Sequence, residues 1–190
     1  MRYGLLLGLA IVLMAQPVRA QDGPTRGAIE AGLAGVLRGC ETWILDPKSW
    51  ADGPAPFLAA MRLGDRVSEV ASIPDDLKPP QRLRKGNRSF RIDVSDRAGF
   101  ALTVSTEIPM CHIVGVGFGD FVSATDAVLA TEAFGASWAR IGEKDEGSSH
   151  SVIFRLRRSE RLALTLSQPT EDPDTVRTIH LLGTAVYDLR

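Results

Sequence analysis

The chain has 190 residues, of which 44% are hydrophobic and 24% charged, and its formal net charge is −1. These proportions suit one globular domain and exclude a disordered, collagenous or multi-span membrane chain. No global field is strong enough to demand nucleic acid or an acidic membrane as partner.

The chain opens as an export signal. Met1 and Arg2 supply a positive start, an apolar run follows, and Val18-Arg19-Ala20 offers a cut before Gln21. The run is about 13 residues, short of the roughly 20 that a membrane span needs. Residues 1–20 are therefore expected to be a signal peptide and 21–190 a single exported domain, periplasmic or secreted, with no membrane span. Losing Arg2 and Arg19 and no acid takes the mature charge to about −3.

Residues 25–39 carry Ile29, Leu33, Val36 and Leu37 at helical spacing, with Gly39 placed as a stop and Cys40 just beyond it. Cys40 and Cys111 are the only cysteines. An even pair in an exported chain reads as one structural disulfide, because a redox pair would stand as Cys-x-x-Cys. Closing so long a loop removes unfolded-state entropy worth about 4 kcal/mol. Trp43 and Trp50 flank a proline-containing loop, where they either plug the core or, if exposed, anchor a partner.

Residues 57–63 predict a short helix ended by Gly64. Residues 74–88, with three prolines and Gly86, predict a long loop. Lys78, Arg82, Arg84, Lys85, Arg88 and Arg91 follow one another without an intervening acid. Arg82, Arg84, Lys85 and Arg88 form a candidate anion-binding patch on an otherwise acidic protein. Residues 90–94 and 101–105 alternate with period two around a turn and predict a hairpin, and 111–117 add a third strand. Residues 115–119, Gly-Val-Gly-Phe-Gly, lack the spacing of a dinucleotide fingerprint and the lysine of a nucleotide loop, so no cofactor is expected.

Beyond Gly119 the order returns. Residues 123–134 predict a helix started by Ser123, with Asp126 three positions on, and ended by Gly135. Residues 57–64 match 128–135, 90–94 match 152–156, 101–106 match 163–168, and 111–115 match 179–183. Four matches in one order predict two helix-plus-strands repeats, at about 25–117 and 120–190. The fold class that follows is α+β, an antiparallel sheet with helices on one face. Phe90, Ile92, Val94, Leu102 and Val104, with Val152, Phe154, Leu156, Leu164 and Leu166, are then turned to the helices. Arg91, Thr103, Ser105, Arg155, Arg157, Thr165 and Ser167 face the other way. This layout resembles the tandem helix-plus-four-strand architecture of the exported beta-lactamase inhibitor proteins. That resemblance implies binding of another protein through a sheet face.

Chemistry-bearing clusters are sparse. His112, His150 and His180 show no metal-ligand spacing, and no metal site is expected. His112 and His180 occupy equivalent positions in the two repeats, and His150 sits in a Gly-Ser-Ser-His loop. No nucleophile elbow is present. The favoured reading is a non-enzymatic domain that binds an envelope protein or polymer through Arg91, Arg155 and Arg157 on the polar sheet face, together with Trp43 and Trp50. The alternatives are an envelope-polymer hydrolase or transferase using His112 and His180, and a small-ligand carrier using the space between the repeats.

Overall fold

The computed structural model describes residues 23–170 and 179–187, so the expected signal peptide lies outside the described residues. Helix α1 (Gly23–Leu45) leads through a 3-10 turn (Pro47–Asp52) to α2 (Ala55–Met61) and strand β1 (Val67–Val70). Strands β2 (Asn87–Asp93), β3 (Ala98–Ser105) and β4 (Met110–Gly117) follow. The second half comprises α3 (Phe121–Leu129), α4 (Glu132–Ser137), β5 (Trp138–Glu146), β6 (Ser149–Leu156), β7 (Leu162–Pro169) and β8 (Ile179–Tyr187). All eight strands form one antiparallel sheet in the order β1-β2-β3-β4-β8-β7-β6-β5. Each half is thus a four-strand meander, and the two join where β4 pairs with β8. The fold class is the α+β class that the alternation predicts.

The helix-facing apolar set is the expected one. Phe90, Ile92, Leu102 and Val104 are fully buried, Phe154, Leu156, Leu164 and Leu166 nearly so, and all join one core with Ile29, Leu33, Val36 and Leu37 of α1. Helix α1 lies over β3, β4 and β8, and Cys40 of α1 is bonded to Cys111 of β4 with a Cα separation of 5.5 Å. The disulfide therefore fastens the longest helix to the centre of the sheet, an arrangement compatible with an exported protein. No helix among the described residues is long and apolar enough to cross a membrane.

Several local expectations are corrected. Gly39 does not stop α1, which runs on to Leu45. A Cβ at Gly39 would stand 2.7 Å from Met61 Cγ, so this glycine admits α2 to close contact. The helix expected at 123–134 is broken in two: Asp120, not Ser123, caps α3 by accepting from the Ser123 N–H at 2.9 Å. Thr131 then caps α4, which contains Gly135 in its interior. Strands β1 and β5 carry no alternation that predicts them. They are the two edges of the sheet, where only one neighbour pairs and charge is tolerated, and beyond its buried first residue, Trp138, β5 is mostly exposed and charged.

Candidate functional site

The strand register determines what shares the helix-free face. One row across the sheet runs Ser68, Arg91, Ala101, Val114, Leu182, Ser167, Ser151, Lys144. The next runs Val70, Ser89, Thr103, His112, Thr184, Thr165, Ile153, Gly142. A third contains Ser105 on β3, Val186 on β8, and Ala163, Arg155 and Ala139 on β7, β6 and β5. Arg91 and Arg155 therefore share the face but not a neighbourhood. Five inter-strand steps separate β2 from β6, roughly 24 Å, and Arg91 is ion-paired with Asp93 at 3.0 Å.

The face is not uniformly open. Over β3 and β4 the chain between β1 and β2 folds across it, so that Ile73 seals Ala101 and Val114, with Val70, Leu77 and Val116 around them. Ser105 donates to the Lys85 carbonyl under the same cover, and its exposure is nil. Thr103 and Ser105 turn away from the helices as expected, yet both are buried, because a connection rich in proline covers the face over β3 and β4. Over β5, β6 and β7 nothing comparable among the described residues lies on the face, where Arg155 and Lys144 are exposed and Ile153, Thr165 and Ser167 half-buried.

Arg157 lies one residue past β6, and its Nε donates to the Gly135 carbonyl of α4 at 2.8 Å, which draws it toward the helix side. Trp43 is in α1 rather than in a loop and is 1% exposed, with its Nε1 donating to the Ser105 carbonyl at 2.8 Å. Trp50 is half-buried, stacks on Trp43 at 5.5 Å and donates to the Trp43 carbonyl. Both indoles thus spend their N–H on backbone, and Trp43 presents no surface to a partner.

The basic run is partly neutralised at home. Arg88 makes two 2.8 Å bonds to Glu69 on the neighbouring strand, which holds that carboxyl below its ordinary range. Arg84 donates to the Pro79 carbonyl at 2.7 Å, while Arg82 and Lys85 are exposed.

His112 is 2% exposed and its Nδ1 lies 2.9 Å from Thr184 Oγ1. Burial pushes it down to about 4, so it is neutral at physiological pH. Its cross-strand neighbour on β8 is Thr184; only the backbone position of His180 is described, four residues away along that strand, roughly 13 Å. The two histidines are therefore not cross-strand neighbours in the backbone register. His150 belongs to β6, not to a loop, and pairs with Asp145 of β5 at 2.7 Å. No protein-family model, no curated protein and no solved structure matches the chain.

Proposed function

We propose that the chain is an exported, non-enzymatic domain that recognises an envelope protein or polymer through the helix-free face of β5, β6 and β7 and the adjoining loops. The observation that carries this reading is the uneven covering of that face, sealed over β3 and β4 and open over β5 to β7. The open half offers small hydroxylic and aliphatic side chains around the exposed guanidinium of Arg155, which is unpaired among the described residues. A flat surface with a planar cation suits a partner bearing carboxylates or aromatic rings. The enzymatic reading gains nothing from a histidine that is buried and neutral.

The test is site-specific photo-crosslinking from Thr165 and Ser167, with Leu129 on α3 as control, in exported protein, followed by binding of the captured partner to Arg155→Ala. Crosslinks from the sheet positions and a loss of about thirtyfold in affinity are expected, the effect of truncating a central anchor. Crosslinks from Leu129 alone, or unchanged affinity of Arg155→Ala, would reject the face. Arg157 is left out of the variant because its side chain tethers α4.

The two-repeat organisation is part of the same proposal. It is supported by the matched segments falling on β2 and β6, β3 and β7, and β4 and β8, which stand at equal distances from the centre of the sheet. Superposing 67–117 on 138–187 should align all four strands in order, and an alignment that requires reordering them would count against duplication.

A further inference from the structure

On the opposite side of the sheet the core is incomplete. Helix α1 covers β3, β4 and β8 but stops short of β6 and β7, where, among the described residues, α3 and α4 overhang. What remains is an open cleft of about 450 Å³, in the size range of small-molecule sites. Its floor is Val152 and Phe154 of β6 and Leu166 of β7, and its walls include Leu129, Phe134 and Trp138. In the first half the corresponding ground is filled by Trp43, Phe57 and Phe90, in ring contact at 5.3 and 5.2 Å. In the second half Phe134 makes ring contacts with Trp138 at 6.3 Å and with Phe154 at 5.0 Å, and these three rings line the cleft rather than fill it.

One end of the cleft is polar and unfinished. Thr125 of α3 is 1% exposed, and its hydroxyl has no hydrogen-bond partner. Gln168 of β7 lines the same cleft, and its amide nitrogen is also buried without a partner. Buried polar groups are ordinarily satisfied, and a stranded one is costly. Both groups can donate, and the amide nitrogen can only donate, so what they lack in common is an acceptor. The ionisable side chains lining or adjoining this end are Arg140, paired with Glu143, His150, within hydrogen-bond distance of Asp145, and Asp126. Carboxylates outnumber cations there, so an anionic head is disfavoured.

We propose that this cleft binds a neutral amphiphile of small-molecule size, its apolar chain on Val152, Phe154 and Leu166 and its carbonyl oxygen accepting from Thr125 Oγ1 and Gln168 Nε2. The site lies on the helix side of the sheet and is independent of the proposed macromolecular face.

The probe set has one chain length and three heads: N,N-dimethyloctanamide, octanoate and octyltrimethylammonium. Titrations of the isotopically labelled full domain are followed by nuclear magnetic resonance at the Gln168 side-chain amide and at Thr125, Leu129 and Val152. The amide probe should bind saturably and shift the Gln168 amide pair, and the two charged probes should bind about tenfold more weakly or worse. In Thr125→Val with Gln168→Met, which keeps volume and removes both donors, affinity for the amide probe should fall by about tenfold or more, with the rest of the spectrum unchanged. Thr125→Val alone should melt no lower than the parent without ligand, because a stranded hydroxyl has been replaced by a methyl. Absence of saturable binding, equal affinity for the ammonium probe, or an undiminished affinity in the double variant would overturn the proposal. A lower melting temperature for Thr125→Val would also overturn it, since the hydroxyl would then already be satisfied.

Discussion

His112 sits at the centre of the sheet between Thr103 and Thr184, with its Nδ1 within hydrogen-bond distance of Thr184 Oγ1. Its folded value of about 4 lies below the ordinary one, so between the two the unfolded chain binds a proton that the folded chain refuses. The stability contributed by keeping it neutral is present above about pH 6.5 and is lost as pH falls toward 4. At pH 5 the loss is about 2 kcal/mol. Denaturant unfolding at pH 7.5 and pH 5 should therefore show a drop in the wild type that is smaller by about that amount in His112→Gln; equal drops would mean that the imidazole is not held neutral. Glycines in α1 provide a second comparison at this scale. A Cβ at Gly35 would meet the Met61 carbonyl oxygen at 2.8 Å, a backbone atom that cannot step aside, whereas Gly27 has open space around it. Gly27→Ala should stabilise by up to about 1 kcal/mol through helix propensity, and Gly35→Ala should destabilise by about 1–3 kcal/mol despite the same gain. Chemical denaturation of the two variants checks the sign of each.

Among elements, α1 has the most to hold. It contributes Ile29, Leu33, Val36, Leu37, Trp43 and Ile44 to the core and reaches the sheet through the Cys40–Cys111 bond. Replacing both cysteines by serine, or reducing the bond, should lower unfolding free energy by about 2–5 kcal/mol, measured by the denaturation midpoint with and without reductant. A change under about 1 kcal/mol would show that packing alone fastens α1. The hairpin of β2 and β3 was legible because period-two alternation of Phe90, Ile92 and Leu102 survives when one face is buried and the other polar. Strand β5 was not, because its bulge between Arg140 and Gly142 shifts the period and most of its side chains are charged and exposed. The division between α3 and α4 at Ala130 and Thr131 was hidden for a related reason: 123–134 keeps an unbroken helical composition, and the Thr131 cap competes only once Phe134 is drawn into the core beside Phe154.

At the scale of the molecule, the eight-strand order explains why the two faces of the second half differ, one an open sheet surface and the other a cleft under α3 and α4. The central pair β4 and β8 is covered by α1 on one side, and the connection between β1 and β2 closes the other side over β3 and β4. Coverage therefore concentrates in the first half, and the second half keeps both an open sheet face and an unfilled cleft. If the open face is the partner site, Arg155→Ala should weaken capture without altering the melting temperature, since its side chain makes no bond within the described residues. A simultaneous loss of stability would assign Arg155 to the fold instead.

The α+β class, the helix-facing half of the core and the cysteine pairing were determined by the sequence alone, because periodicity and an even cysteine count are local signals that burial and oxidation merely enforce. The candidate sites were not. Whether Thr103 and Thr165 see solvent depends on where a distant proline-rich connection lies, although both occupy the same kind of strand position. Whether His112 titrates depends on the cover above it, and whether Trp43 is anchor or core depends on a carbonyl 62 residues away. The stranded donors of Thr125 and Gln168 are read from no spacing at all, because their isolation is a property of the space between α3 and β7. Exposure, charge state and hydrogen-bond debt arise only when remote segments share a volume, and that sharing is decided by tertiary structure.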